Sequence, residues 1–296
     1  MKKVELYDCP AGSVLESDGL VTKGSSGQGG FGDHAHTSLR RVASPAVPAT
    51  STPADRREEL KQLFHEARVC ERCPQLAQTR TQVVFGAGNA DADILFVGEA
   101  PGEKEDQQGV PFVGAAGKLL ATLLEGIGLQ RDDVFIANVL KCRPPQNRDP
   151  HPQEIERCEP WLWRQIELIE PIVVVTLGRY ASGLLRGEMA PLGAIRGQVE
   201  TRILGTRAVR LLPVLHPAAA LYRREPNLRL LEEDFAKIPG LLEQGPPEQP
   251  EPMEPAPGCD EAEEAPQPEA APAAEETPEP EASAAATPRE EQLGLF

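Results

Sequence analysis

Four short apolar runs in the middle of the chain carry no polar alternation. They are Ile94–Val97, Val134–Ala137, Ile172–Leu177 and Val209–Leu215. Continuous β-branched and leucine-rich runs of this length are typical of strands that are covered on both faces, as in a parallel sheet. The pattern therefore predicts four buried strands.

Helical periodicity fills the intervals between these runs. Lys118–Ile127 places five leucine or isoleucine residues at helical spacing, and Gly128 is suited to end that helix. Gln153–Ile169 has the same periodicity, and Pro171 stops it. Strands alternating with helices predict a three-layer α/β domain.

The segments on either side of this pattern differ from it in composition. Residues 1–54 are rich in Gly, Ser, Ala, Pro and Thr, and residues 243–291 form a Pro/Glu/Ala tract with almost no large apolar side chains. Such segments bury too little apolar surface to offset the entropy of ordering them. We predict a folded domain over 55–242 with disordered flanks, although the first dozen residues also fit a small separate unit.

The net charge of −16 belongs almost entirely to the second flank. Residues 243–296 contain 15 acidic residues and one basic residue, which leaves a net charge of −2 for residues 1–242. The acidity is therefore no argument against a nucleic-acid partner for the domain. No apolar run long enough for a membrane span and no signal peptide is found, so we expect a cytoplasmic protein.

Four of the six cysteines have the spacing of metal ligands. Cys70 and Cys73 form a CxxC pair, and Cys142 and Cys158 follow as a second pair. Four thiolates hold either zinc or an iron–sulfur cluster, and the spacing does not choose between them. The alternative is that Cys142 and Cys158 are small buried hydrophobic residues. Cys9 and Cys259 lie in the flanks without partners at motif spacing.

Polar loops follow three of the four predicted strands directly. They begin with Gly98–Gly102, with Asn138–Cys142 and with His216–Pro217. Ligands of open α/β sheets bind beyond the carboxyl ends of the strands. Because these loops meet at that edge, the sequence predicts one site there.

The loops contain five motifs, which are Gly98–Asp106, Gly109–Gly114, Asn138–Pro145, Asn147–Pro150 and His216–Ala218. With these motifs the chain resembles family 4 uracil-DNA glycosylases over about residues 56–242. The resemblance implies the uracil-DNA glycosylase fold, with a central four-stranded parallel sheet. It also implies excision of uracil from DNA in base excision repair, and a 4Fe–4S cluster on Cys70, Cys73, Cys142 and Cys158.

Three residues of these motifs suit the chemistry of uracil excision. Phe112 offers an aromatic face for a base extruded from the helix. The Asn138 amide has the donor and acceptor that pair with uracil O4 and N3–H. His216 suits a hydrogen bond to uracil O2, where charge develops as the base leaves. Each residue also has a structural alternative: core packing for Phe112, a strand-end cap for Asn138 and a structural role for His216.

The first loop supplies the remaining predicted pocket residues. Gly98 lets the backbone approach the base closely. The resemblance implies that Glu99 and Ala100 line the uracil pocket through their main chain, and that Glu105 excludes the 5-methyl group of thymine. We take His216, Asn138 and Glu105 as the catalytic set. Ala100 stands where family 1 enzymes have a water-activating Asp, so the general base stays open.

Two other functions compete with catalysis. One is a uracil- or DNA-binding module without turnover, and the other is a four-cysteine zinc protein that uses the same fold as an interaction scaffold. Basic residues in or beside the loops, Arg143, Arg148, Arg223 and Arg224, are candidates for contacts to DNA phosphates. Uracil-containing DNA is the partner that the resemblance implies.

The last five residues form an apolar cluster after a polar tract. Gln292, Leu293, Leu295 and Phe296 resemble the short peptide with which polymerases and repair proteins bind the bacterial DNA sliding clamp. The usual form of that peptide is Gln-Leu, a small or acidic residue, then Leu-Phe, and Gly294 departs from its commonest middle residue. The sequence thus predicts a second partner, reached through a tether, with a chance hydrophobic terminus as the alternative.

Overall fold

A computed structural model describes residues 51–250, and these form one mixed six-stranded sheet with helices on both faces. The strands are β1 (Ala87–Gly88), β2 (Ile94–Gly98), β3 (Phe135–Asn138), β4 (Val173–Leu177), β5 (Glu200–Leu204) and β6 (Arg207–Val214). Their order across the sheet is β1-β3-β2-β4-β6-β5. The chain thus builds the centre of the sheet from its four apolar runs.

The four central strands β3, β2, β4 and β6 are parallel, as predicted. The register pairs Gly98 with Asn138, and Leu177 with Val214. The carboxyl ends of these strands therefore lie at one edge of the sheet, and the residues that follow them converge there.

Two antiparallel edge strands extend the predicted four-stranded sheet. β1 pairs with β3, and β5 pairs with β6. β1 is two residues long, too short to carry a periodic signal. β5 alternates between partly exposed and exposed positions up to Leu204, so its sequence reads as a polar segment rather than a buried strand.

Ten helices lie within residues 51–250. They are α1 (Pro53–Arg68), α2 (Pro74–Thr79), α3 (Glu103–Gln108), α4 (Ala115–Gly126), α5 (Pro152–Ile169), α6 (Arg179–Arg186), α7 (Leu192–Ile195), α8 (Ala218–Tyr222), α9 (Arg224–Phe235) and α10 (Ile238–Glu243). The two helices predicted from periodicity are α4 and α5. α5 starts at Pro152 and ends where Glu170 adopts a left-handed backbone before Pro171.

The central strands bury both of their faces, which explains their continuous apolar sequence. Leu95 and Val97 of β2 belong to a cluster with residues of α1, α5 and α6. Ile94 and Phe96 point the other way, into a cluster with residues of α4, α9 and α10. Successive side chains of a strand alternate between faces, so one five-residue strand serves two cores. This is the predicted three-layer arrangement.

Both ends of the described region are tied to the domain. α1 begins at Pro53, two residues inside the predicted arm, because Thr52 and Asp55 form a capping box. At the other end the Gln249 side chain bonds the amide and the carbonyl of Ala208. The rest of both predicted flanks, with Cys9, Cys259 and residues 292–296, lies outside the described residues.

No helix in the described region is both long and apolar enough to cross a membrane.

Candidate active site

The three predicted loops meet in one cleft at the carboxyl edge of the sheet. The cleft has a volume of about 500 Å³. Its lining includes the predicted residues Glu99, Ala100, Glu105, Phe112, Asn138 and His216. Residues distant in sequence are brought together because β2, β3 and β6 run in parallel and end at the same edge.

Gly98 is needed where β2 meets this cleft. A Cβ atom there would lie 2.3 Å from Asn138 Oδ1 and 2.7 Å from Phe112 Cζ. Both distances are far inside van der Waals contact, so any side chain at Gly98 would displace one of these residues. The predicted close approach therefore involves the two side chains that flank Gly98.

Asn138 is buried at the end of β3 with an unused hydrogen-bond acceptor. The residue is 2% exposed, and its Oδ1 has no hydrogen-bond partner among the described residues. A buried polar atom without a partner costs about 1–3 kcal/mol. This cost, in a side chain that lines an open cleft, indicates an acceptor kept for a ligand N–H.

His216 is held in one tautomer by the turn that follows it. Its Nδ1 accepts a hydrogen bond from the Ala218 amide at 3.1 Å, so the hydrogen of the neutral ring resides on Nε2. Burial lowers the pKa of His216 to about 4, although Glu105 opposes the shift. At neutral pH the ring is therefore an uncharged hydrogen-bond donor.

Phe112 packs against His216 as a wall of the cleft. The two ring centroids are 5.6 Å apart with an interplanar angle of 27°. Phe112 is 6% exposed and also belongs to the apolar cluster on that face of the sheet, as the core-packing alternative requires, and its role as a platform for the base stays a prediction. Its φ is 53°, which is unusual for a bulky residue.

Glu105 lines the cleft with its carboxylate turned toward the Phe112 loop. Oε1 accepts hydrogen bonds from the Val113 amide at 3.0 Å and from the Gly114 amide at 2.8 Å. A Cβ atom on Gly102 would come within 2.7 Å of Oε2. The carboxylate is therefore fixed between two loops of the cleft.

Glu99 is a carboxylate whose side chain the sequence analysis did not assign. It lines the cleft and also a neighbouring cavity of about 610 Å³ that shares His216. Burial, and then the charge of Asp149, raise its pKa to about 6, against the effect of Arg179. A carboxylate with a pKa near neutrality in a cleft is a candidate for proton transfer. Its position directly after a buried strand was the available signal.

Two of the arginines proposed for DNA contacts already have partners. Arg148 forms a two-point ion pair with Glu154, at 2.6 and 2.8 Å. Arg143 Nε donates to Asn147 Oδ1 at 2.8 Å. These bonds arrange the 3-10 turn Pro145–Asn147 beside the cleft, and phosphate contact by these side chains stays a prediction.

The four predicted ligand cysteines line a second, separate cavity. Cys70, Cys73, Cys142 and Cys158 all contribute to it. Arg80 Nη1 lies 3.3 Å from Cys142 Sγ, and the Lys141 amide donates to Cys158 Sγ at 3.2 Å. Burial raises the pKa of Cys158 to about 12, so binding a metal there must displace a proton.

Within residues 51–250 no group of three or more His, Cys, Asp or Glu side chains is arranged as a metal-ion site. Four thiols around one cavity, with cationic neighbours, still form a donor set suited to a polynuclear, negatively charged cluster.

Lys141 connects the two cavities and was not singled out from the sequence. It is 2% exposed, and its Nζ donates to the Asn138 carbonyl at 2.9 Å and to Gln165 Oε1. Its neighbour Cys142 is one of the four cavity cysteines. One buried side chain thus spans from the cysteine cavity to the main chain of the cleft residue Asn138.

Comparison with known proteins matches these features to one superfamily. Residues 85–238 match the model of the uracil DNA glycosylase superfamily. The chain is 48% identical over 186 residues to a type-4 uracil-DNA glycosylase of Archaeoglobus fulgidus, an alignment that covers 61% of this chain and 92% of that protein.

Two further relatives have the same description. A type-4 uracil-DNA glycosylase of Saccharolobus solfataricus is 46% identical over 194 residues, which covers 64% of this chain and 89% of the relative. One of Thermotoga maritima is 43% identical over 189 residues, which covers 63% of this chain and 96% of the relative. The similarity thus extends over nearly the whole length of these relatives.

Proposed function

The chain belongs to the uracil DNA glycosylase superfamily, among its type-4 members, and we propose that it hydrolyses the N-glycosidic bond of deoxyuridine in DNA. Members of this superfamily are hydrolases of N-glycosyl bonds, so the membership predicted from the loop motifs is confirmed. The observation that carries the proposal is the unpartnered Oδ1 of buried Asn138 in a cleft walled by Phe112 and His216.

Recognition of the base follows from the Asn138 amide. Oδ1 accepts the uracil N3–H, and Nδ2 donates to uracil O4. Cytosine presents an acceptor at N3 and a donor at N4, so the same amide would face it with two mismatched groups. A buried group left unpaired costs about 1–3 kcal/mol, and this penalty provides the discrimination. The base itself lies against the Phe112 ring after extrusion from the DNA.

Departure of the base depends on the tautomer of His216. When the C1′–N1 bond breaks, its electron pair moves into the uracil ring and negative charge develops at O2. The Nε2–H of neutral His216 donates to that oxygen. A fixed donor at a site of developing charge favours the transition state without reorganisation.

Water attack completes the hydrolysis at the sugar. The C1′ cation left by the departing base takes an oxygen from water, and a proton leaves that water. Ala100 has no group for this proton, whereas the Glu99 carboxylate lies in the same wall with a pKa of about 6. We assign Glu99 as the residue that orients the water and accepts its proton.

The metal group belongs to the proposal as well. We infer that Cys70, Cys73, Cys142 and Cys158 hold a 4Fe–4S cluster, which type-4 membership implies and which the four-thiol cavity supports. Such a cluster would link the four segments that carry these cysteines, namely the segment after α1, the start of α2, the segment after β3 and α5. Hydrolysis transfers no electrons, so its role is structural. A cytoplasmic location, where cysteines stay reduced, is part of the same proposal.

The function is tested by release of uracil from an oligonucleotide. Purified protein is incubated with a duplex containing one U·G pair, without added metal or nucleotide, and alkali then cleaves the abasic site. We expect cleavage at uracil and none in the matched T·G duplex. An uncut U·G duplex with cluster-loaded protein would overturn the enzymatic proposal. If the same sample binds that duplex tightly, the binding-module alternative replaces it.

A second partner is proposed for the C-terminal peptide. We infer that Gln292, Leu293, Leu295 and Phe296 bind the bacterial DNA sliding clamp. Gln249 fastens the chain near the start of β6, whereas His216 follows its end. At ~3.3 Å per residue these points are roughly 25 Å apart, so the described chain ends near the edge of the sheet opposite the cleft.

This interaction is tested by titrating purified clamp with the full chain, with a chain lacking residues 292–296, and with Leu295→Ala/Phe296→Ala. We expect binding only by the full chain. Equal binding by all three, or by none, would make the apolar terminus an accident of sequence.

A further inference from the structure

The backbone of Phe112 adopts an unfavourable conformation at the centre of the cleft. Its φ of 53° lies in the left-handed region, which bulky residues avoid. Left-handed residues of this kind persist where the surrounding structure over-determines them, often at functional sites. The loop between α3 and α4 must therefore contain contacts that hold Phe112 in this state.

Two side chains of opposite charge form hydrogen bonds with the main chain of this loop. Arg131 donates to the Phe112 carbonyl through Nη1 at 2.8 Å and to the Pro111 carbonyl through Nη2. Glu105 accepts from the amides of the next two residues. A cation on two carbonyls and an anion on two amides fix three consecutive peptide groups, because the Phe112 carbonyl and the Val113 amide belong to the same one.

Helix α4 packs closely against the Phe112 carbonyl of this loop. A Cβ atom on Gly117 would lie 1.7 Å from the Phe112 carbonyl oxygen, so this oxygen rests directly on the helix backbone. The same oxygen is one of the two that Arg131 bonds. Without the guanidinium, the carbonyls of Pro111 and Phe112 would each lose a charged donor, and the loop would be free to turn them toward water.

Arg131 itself stands behind the cleft. It begins the 3-10 turn Arg131–Asp133 that leads into β3, and it is not among the residues that line the cleft. Its side chain is partly buried, and burial lowers its pKa against the opposing charges of Asp132 and Glu105. An arginine remains charged even so, and its planar fork can serve two carbonyls at once.

We propose that Arg131 is a positioning residue that sets the angle of the Phe112 ring against the uracil base, through the carbonyls of Pro111 and Phe112. The inference rests on the proposed function, because it assigns Phe112 the base-stacking role. If the inference holds, Arg131 affects the rate of uracil excision only through the position of Phe112.

A double-mutant cycle tests this dependence. Arg131→Met, Phe112→Ala and the double variant are assayed for uracil excision under single-turnover conditions. We expect Arg131→Met to lower the excision rate about 10–100-fold while DNA affinity changes less than about threefold. The double variant should be no slower than Phe112→Ala, since non-additivity marks residues that act as a unit. Arg131→Lys should recover part of the rate.

A matched arginine controls for damage to the fold. Arg196 also donates to a main-chain carbonyl, that of Leu230 at 2.8 Å, and bonds Asp234, away from the cleft. Arg196→Met should lower the melting temperature without slowing excision below that temperature. Full activity in Arg131→Met, additive losses in the cycle, or an equal loss in Arg196→Met would overturn the inference.

One readout does not need catalysis. With a fluorinated phenylalanine at position 112, the ¹⁹F resonance reports the ring's position beside His216 in the free protein. It should shift and broaden in Arg131→Met and stay unchanged in Arg196→Met. An unchanged resonance in Arg131→Met overturns the inference even if the wild-type chain proves inactive, which would separately overturn the proposed function.

Discussion

The cleft and the cysteine cavity are built from the same stretch of chain but have opposite properties. Asn138 ends β3 in the cleft, and Cys142, four residues later, faces the cavity. The cleft is open and contains an acceptor without a partner. The cysteine cavity is narrow, and its sulfur atoms already receive hydrogen bonds from Arg80 and the Lys141 amide. A site for an exchanging substrate leaves polar groups unsatisfied, whereas a site for a permanent group surrounds it with complementary charge.

This contrast predicts that the two sites fail in different ways. Substitutions in the cysteine cavity should mainly lower the stability of the fold, and substitutions in the cleft should mainly lower the rate of uracil excision. Lys141 contacts both sites, so a substitution there should lower both stability and rate, because its Nζ donates to the carbonyl of the cleft residue Asn138.

The largest effect is expected at the cavity. Cys142→Ser or Cys158→Ser should abolish iron binding and the visible absorption near about 400 nm that thiolate-ligated iron clusters give. The melting temperature should fall by about 10 °C or more, since metal binding is coupled to folding. Cys9→Ser and Cys259→Ser serve as controls with unchanged iron. Loss of iron from Cys259→Ser would contradict the ligand assignment.

The next effect belongs to the cleft. Asn138→Ala and His216→Ala should each slow uracil excision by about 10²–10³, because each removes a preorganised hydrogen bond to the base. Iron content should stay at the wild-type level, and the melting temperature should change little. Asn138→Ala in fact removes a buried acceptor that has no partner in the free protein. If stability and rate fell together, the result would contradict the catalytic assignment and indicate structural roles for both residues.

A smaller effect concerns stability at acid pH. Burial lowers the pKa of His216 to about 4, so between pH 6.5 and 4 the unfolded chain takes up a proton that the folded chain refuses. Stability should therefore fall as pH decreases through this window, by about 2 kcal/mol at pH 5. His216→Asn lacks this contribution. Urea unfolding of both proteins at pH 5 and pH 7.5 isolates the contribution of His216. An identical pH dependence of the two unfolding free energies would contradict the lowered pKa of His216.

The smallest effect is expected for Glu99. Glu99→Gln should slow excision about tenfold at pH 7.5, less than for full general base catalysis, because a dissociative path needs little help from the nucleophile. The carboxylate form is required, and its pKa is about 6. The wild-type rate should therefore rise with pH through about 6, while the variant lacks this rise. Asp149→Asn is the companion variant: it removes a nearby negative charge and should move the midpoint to lower pH.

Much of the site could be predicted because its residues follow strands directly. The apolar runs placed Gly98, Asn138 and His216 near strand ends, and parallel strands bring such ends to one edge. The loop motifs then supplied Phe112 and Glu105, and the spacing of the cysteines supplied the four candidate ligands. The edge strands β1 and β5 were missed, since one is too short for a pattern and the other is half exposed.

Residues that act through long-range contacts gave no such signal. In the sequence Lys141 looks like a polar loop residue, but in the structure it is fully buried. Its hydrogen bond is accepted by Gln165, 24 positions away. Arg131 looks like a solvated turn residue, yet it serves carbonyls 19 and 20 positions earlier. Neither partner is close enough in sequence to form a local motif.

The sequence by itself predicted the four central strands, the helices α4 and α5, the loops at the strand ends and a set of four candidate cysteine ligands, because each depends on local periodicity or on short spacing. Only the tertiary structure decided the protonation and hydrogen-bonding state of the site: the tautomer of His216, the unpartnered Oδ1 of Asn138 and the raised pKa of Glu99. These properties arise from burial and from charges on distant segments, and both exist only after the strands have packed side by side.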